Sequence, residues 1–293
     1  MVPGASSDPS SLVAYDNRLF FSASDGVLGE ELWASDGTED GSRLVKDIFP
    51  GAESAAPGSL TLCAGKLFFS AIDESFGREL WVSDGTAANT TLVSDINPGP
   101  LGSSPGFLTA VGNTLFFVAY DGVTGFELWK SDGTPGGTAL VKDIDPSGSS
   151  GITSIIASRG MAFFRANDGT NGSELWKSDG TSLGTSMVRD ISALSASSNP
   201  TGLVDIADVV YFSANDGTNG VELWKSNGTA AGTTIVRNIH PTGSSSPGGM
   251  TALNGFIYFR ADEGATGFEL WRTDGTFVGT TLVKDINPAA ADS

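Results

Sequence analysis

The phrase GEELWASDGT at residues 29–38 returns five times, as GRELWVSDGT, GFELWKSDGT, GSELWKSDGT, GVELWKSNGT and GFELWRTDGT. Its tryptophans, Trp33, Trp81, Trp129, Trp176, Trp224 and Trp271, are separated by 48, 48, 47, 48 and 47 residues. A period of this size marks an architecture assembled from one supersecondary unit whose hydrophobic faces are buried against its neighbours. Each Trp lies 12 residues after the second member of an aromatic pair, from Phe20-Phe21 to Tyr258-Phe259, and 14 residues before the polar residue of a V-x-D-I phrase such as Val45 to Ile48. Both lengths are constant in all six copies. The variation in period is therefore confined to the connection between V-x-D-I and the next aromatic pair, as a loop on a rigid scaffold behaves.

Within a repeat, apolar, β-branched and aromatic residues gather in four short runs bounded by Gly, Asp, Asn and Pro, seen in the third copy as FLTAVG, TLFFVAYDG, FELWKSDG and TALVKDI. Helix signals are missing. Four strands in a unit of this length predict a propeller blade. The expected fold is all-β, a six-bladed β-propeller in which each blade is a four-stranded antiparallel sheet. One domain is expected over 1–293, with blades at approximately 10–49, 58–97, 106–145, 152–192, 201–240 and 249–287. A solenoid is the rival geometry, but its ends need polar caps that neither terminus offers. With the strands lettered a to d, closure is expected to rest on blade 1 packing against blade 6; a frame shifted by one strand is the alternative. ELWxSDGT is then strand c and its turn into strand d, and alternation places Leu32 and Trp33 on opposite faces of a sheet covered on both sides. The Trp fills the seam. Charges on strand d, at Lys46, Lys142, Arg189, Arg237 and Lys284, are expected to guard an outer edge.

Composition narrows the function. Sixteen Lys+Arg against 34 Asp+Glu leave a net charge of -18, which repels phosphate and excludes nucleic acid as a partner. The single cysteine, Cys63, permits no intrachain disulfide and reads as a small buried apolar residue. No apolar run approaches the ~20 residues of a bilayer span, and MVPGASSDPSS lacks a secretion signal.

The phrase E-L-W-x-x-D-G-T, with its trailing G-T and V-K-D-I, resembles the ELWxxDGT repeat family of large, mostly secreted or surface-linked bacterial proteins. The likeness covers nearly the whole chain and departs at Asn227 and Asn238, each standing for Asp. It implies a β-propeller-like protein, exported or on the cell surface of a bacterium. It carries over no catalytic residue set and no ligand.

Candidate residues must therefore come from the chain itself. The strand c glutamates Glu31, Glu79, Glu127, Glu174, Glu222 and Glu269, set beside the tryptophans, have the chemistry of an interblade sugar site, where a carboxylate accepts hydroxyls and an indole stacks on the ring. A group that every hairpin needs would recur in the same way, and this structural role is the expected one for both Glu and Trp. No cofactor is expected. Calcium is the alternative, at segments such as NDGTNGSE with Asp168, Asn171 and Glu174, although their spacing is not that of the helical calcium loop. Departures from the repeat mark candidate binding residues: Asp205 where strand a otherwise carries Ala or Leu, Arg165 and Arg260 after the aromatic pair, and His240 before Pro241. Salt-bridged pairing of the Asp and Arg across blades is the alternative to a shared ligand, and a loop histidine without a partner the alternative to a general base. Phe126 and Phe268, in the b-to-c hairpins, lie on the same rim as the variable connections and suggest a recognition face. The function these residues favour is a noncatalytic, monomeric binding or adhesion propeller for a carbohydrate or protein ligand. A carbohydrate-active enzyme working with channel carboxylates and a structural module of a larger surface protein are the alternatives.

Overall fold

The computed structural model describes residues 6–193 and 195–288. Within them, 24 strands form six four-stranded antiparallel sheets, each built from four consecutive strands in chain order. Blade 1 comprises Ser10–Tyr15, Arg18–Ser24, Glu30–Ser35 and Arg43–Lys46, and blade 2 Gly58–Cys63, Lys66–Asp73, Gly77–Ser83 and Thr91–Ser94. The only helical element among the described residues is the 3-10 turn Pro135–Gly137. The fold class is all-β, with six blades of the β-propeller type. Contacts divide the chain into two compact units, Met1–Ser149 with blades 1 to 3 and Ser150–Ser293 with blades 4 to 6.

The letters SDGT make the hairpin from strand c to strand d. In blade 2 the Asp84 carboxylate accepts from the backbone N–H and the hydroxyl of Thr86, Ser83 Oγ accepts from Gly85 N–H, and Ser83 and Thr90 join hydroxyls at 2.7 Å. Gly85 holds φ at +88°, a conformation that side chains resist. Blade 5 tests which property of the acid matters. Asn227 Oδ1 accepts the same two bonds from Thr229, so the turn needs an oxygen and not a charge.

Strand b pairs its second aromatic with the Trp of strand c, as Phe21 with Trp33 and Phe69 with Trp81. Each blade thus has a receiving face carrying that pair. Its opposite, forward face carries the first aromatic, the Leu of ELW and the Val and Ile of V-x-D-I. In the seam between blades 1 and 2, Phe20, Leu32, Val45 and Ile48 pack on Leu67, Phe69, Ala71 and Trp81. Equivalent clusters join blades 2 and 3, 4 and 5, and 5 and 6. Burying each such side chain is worth about 2 kcal/mol, so a seam outweighs any single hairpin hydrogen bond.

Strand d is an edge strand of every sheet, and three of its basic residues, Lys46, Arg189 and Arg237, also reach the next blade. In every blade the c–d ladder shifts register after the ELW leucine, so that Leu32 opposes Lys46 while Trp33 opposes Leu44. This bulge lets Val45 and Lys46 both serve the same seam. Lys46 Nζ lies 5.7 Å from the centre of the Trp81 ring and donates to the Thr90 carbonyl at 2.7 Å. Arg189 does the same for Trp224 and Thr233, and Arg237 for Trp271 and Thr280. A cation over an indole face is attracted by the ring quadrupole. These side chains clamp one blade to the next.

Candidate functional site

The strand c glutamates are enclosed. Glu31, Glu79, Glu127, Glu174 and Glu222 are fully buried and Glu269 nearly so. Glu79 accepts from the backbone N–H of Asn97 and Ser103 and from the Ser103 hydroxyl, and Glu31 from the backbone N–H of Ile48, Phe49 and Ala55. Glu31 and Glu79, like Glu174 and Glu222, therefore tie both ends of the d-to-a connection to strand c, while Glu269 accepts from the N–H of Ile286. Burial raises the Glu31 carboxyl to about 7 against these hydrogen bonds, and moves Glu79, Glu174 and Glu222 upward as well. With their oxygens occupied and no exposed surface, Glu31, Glu79, Glu174 and Glu222 have nothing to offer a sugar.

The acids ending strand b close the b-to-c hairpin. Asp25 Oδ1 accepts from the N–H of Val27 and Leu28, which holds its pKa low. At the calcium candidate, Asp168 Oδ1 accepts from the N–H of Thr170 and Asn171, and Oδ2 from the Asn171 side chain. Among the described residues no group of three or more acidic, histidine or cysteine side chains is arranged to hold a metal ion.

The departures from the repeat go separate ways. Asp205 reaches across to the preceding blade and accepts from the Ser158 hydroxyl at 2.5 Å, so its interblade partner is a hydroxyl. Arg165 donates to Ser173 within its own hairpin at 3.4 Å, and Arg260 lies 5.0 Å from the centre of the Phe268 ring in its own blade. The Asp and the two Arg do not converge. His240 is not a free loop residue. Its N–H donates to Glu222, and its ring rests against Gly264 of blade 6, where a Cβ would lie 2.7 Å from Nε2. Asn97 meets Gly122 of the following blade in the same way, so this position is a wedge between blades. Phe126 packs on Tyr120 of its own hairpin at 5.3 Å. Cys63 is buried.

What periodicity could not show is a difference between equal letters. On blade 2 the receiving face is covered: Phe69 is fully buried, Trp81 is 5% exposed, and Gly85 would direct a Cβ into Phe20 at 2.6 Å. On blade 1 Phe21 and Trp33 are only part-buried, and a Cβ on Gly37 would meet no atom within 4 Å. A cleft of about 400 Å³ opens there, with Phe21 and Trp33 in its wall and Asp25, Glu39 and Ser42 around them. Within the second unit, the outer apolar residues of blade 6 are more exposed than their counterparts in blade 2. Leu270, Val283 and Ile286 are 38%, 44% and 67% exposed, whereas Leu80, Val93 and Ile96 are 0%, 2% and 8%.

No protein-family model matches the chain, and no curated protein matches it. Among solved structures it resembles a computationally designed protein, Ika8, at 20% identity and TM-score 0.50, covering 94% of this chain and 73% of that one. It also resembles a prolyl endopeptidase at 12% identity and TM-score 0.54, and a puromycin hydrolase S511A mutant complexed with PGG at 14% and 0.50. It covers 95% and 93% of itself in these two comparisons but spans only 43% and 44% of those chains. At such identities the likeness is one of fold alone. No helix among the described residues is long and apolar enough to cross a membrane.

Proposed function

We propose that this chain is a noncatalytic binding module whose recognition surface is the receiving face of blade 1. The observation that carries the reading is the cleft at Trp33: the indole and ring surface that seams bury elsewhere is accessible here, in a volume suited to one ligand group. Asp25 and Glu39 give the cleft acceptors for basic or hydroxyl groups. The enclosure of the repeated glutamates and the dispersal of Asp205, Arg165 and Arg260 support a role without catalysis. The reading agrees with the extracellular setting that the ELWxxDGT resemblance implies.

A glycan is the second reading, favoured by an aromatic wall beside carboxylates. The test is a glycan array run with and without chelator, beside a titration that follows tryptophan fluorescence. A ligand whose binding is lost in a folded Trp33→Ala variant, and kept in Phe268→Ala, supports the blade 1 face. Binding that survives Trp33→Ala, or turnover of a released-sugar panel, overturns the reading. Loss of binding on chelation would bring calcium in as a partner of the site.

A further inference from the structure

We infer that the seam between blades 5 and 6 holds a second site, independent of the blade 1 face, for a small carboxylate that carries a hydroxyl or ammonium group beside it. Both walls of this site belong to the second compact unit.

The site lies where the c-to-d turns of the two blades meet. A cleft of about 440 Å³ opens there, lined by Val209, Tyr211, Lys225 and Asn227 of blade 5 and by Asp274 and Thr276 of blade 6. That volume suits a small ligand. The other seams show why the space is open. In the first unit a long basic side chain at the start of strand b closes the same place: Arg18 donates to the Gly85 carbonyl at 3.4 Å, and Lys66 to the Asp132 carbonyl at 3.0 Å. Between blades 4 and 5 Met161 extends toward Gly228, where a Cβ would lie 3.7 Å from its Cε. Val209 holds the same register position with a shorter side chain.

Most of the groups around the opening are donors. Where blades 1 to 4 carry Phe, blade 5 has Tyr211, which is 7% exposed and sets its hydroxyl over the turn glycine, 2.4 Å from where a Cβ on Gly275 would lie. No described residue hydrogen-bonds that hydroxyl. An enclosed hydroxyl costs free energy until something pairs with it. Burial, and after it the Asp274 carboxylate, holds its pKa above the ordinary range, which keeps it a donor. Asn227 stands where the other five turns have Asp. Its Oδ1 accepts from the N–H and hydroxyl of Thr229, so its amide N–H groups are left for a ligand. Lys225 Nζ donates to the Gly275 carbonyl at 2.8 Å and keeps two N–H bonds to give. Opposite them, Asp274 Oδ1 accepts from the N–H and hydroxyl of Thr276, leaving Oδ2 as an acceptor.

No other seam within a unit assembles this set. The corresponding residues between blades 1 and 2 are Phe20, Ala34, Asp36 and Asp84, and between blades 2 and 3 they are Phe68, Val82, Asp84 and Asp132. Two acids repel a carboxylate. Tyr211, Lys225 and Asn227 would instead bind one through charge-assisted hydrogen bonds, and Asp274 would take the neighbouring hydroxyl or ammonium.

The experiment is calorimetric titration of the full chain with glucuronate, L-alanine and glucose. Two variants restore letters of the repeat, Tyr211→Phe and Asn227→Asp, and because sister blades carry those residues the melting temperature is expected to stay unchanged. Glucuronate or L-alanine is expected to bind and glucose to fail. Binding of glucuronate alone assigns the neighbouring group as a hydroxyl, and of L-alanine alone as an ammonium. Each variant is expected to weaken binding about tenfold or more, Lys225→Val to weaken it further, and Trp33→Ala to leave it unchanged.

A wild type that takes up neither carboxylate overturns the inference, as does binding that Tyr211→Phe and Asn227→Asp both leave intact. Glucose bound as tightly as glucuronate also overturns it. Binding lost in Trp33→Ala but kept in Tyr211→Phe overturns it and returns the ligand to the blade 1 face.

Discussion

Gly85 and Gly37 occupy the same place in consecutive repeats, with φ of +88° and +92°. One lies under Phe20, while the other would point a Cβ into open space. Phe69 and Phe21 differ likewise, as do Trp81 and Trp33. Yet Glu79 and Glu31 do not differ, both being fully buried by their own connections. The comparison separates two kinds of repeated letter. Glu, Asp and Ser serve the blade that contains them; Trp, the aromatics, the turn glycine and the strand d cations serve the seam.

The largest effect should ignore the difference between blades 1 and 2. Replacing Glu79 or Glu31 with Ala strands several buried N–H groups, and each substitution is expected to cost about 4 kcal/mol by chemical denaturation. A much smaller cost at Glu31 would break the division just drawn. Next, Trp81→Ala should cost about 3–5 kcal/mol by emptying a packed seam, against about 1 kcal/mol for Trp33→Ala in dilute protein. Equal costs would mean that the blade 1 face is covered in solution. The glycines sharpen the same point: Gly85→Ala and Gly37→Ala share a cost of about 1 kcal/mol for positive φ, but only Gly85→Ala adds a clash with Phe20, for about 2–3 kcal/mol in total.

The remaining effect is on pH. The Glu31 carboxyl is raised in the fold from its ordinary 4.5 to about 7, so its contribution is full below about pH 4.5 and is lost as pH rises through about 7. Asp25 and Asp36, held low by their turn hydrogen bonds, act with the opposite sign and in a more acidic window. Melting temperature should therefore fall by a few degrees between pH 5 and pH 8, with Glu79, Glu174 and Glu222 adding to the slope. A melting temperature that rises across that range would show the carboxylates to be stabilised by their cages in the charged form.

Much of this architecture could be read from periodicity because blades are made of local pairings. The strand frame is decided only by which strands pair in each sheet, but the opposed faces of Leu32 and Trp33 and the burial of Cys63 follow from alternation and turn chemistry. The clamps did not, because Lys46 reaches Thr90 only through a register shift in its strand, and bulges leave no mark in a pattern of apolar letters. Nor did the wedge of His240 against Gly264, since contact between loops of successive blades depends on where side chains point. The candidate face was hidden for a deeper reason. Phe21 and Trp33 are spelled like their counterparts, and only packing distinguishes a covered indole from an open one.

The buried glutamate also explains how one period can be both 47 and 48. Glu174 holds Ser198, 24 residues onward, and Glu222 holds Ser245, 23 onward. Both connections end at the same anchor although one is a residue longer. A rivet that grips the ends of a span lets its middle change by a residue without disturbing the sheets. For anyone grafting foreign loops onto this scaffold, the d-to-a spans are the ports where length is tolerated, provided the glutamate and its anchoring serine remain.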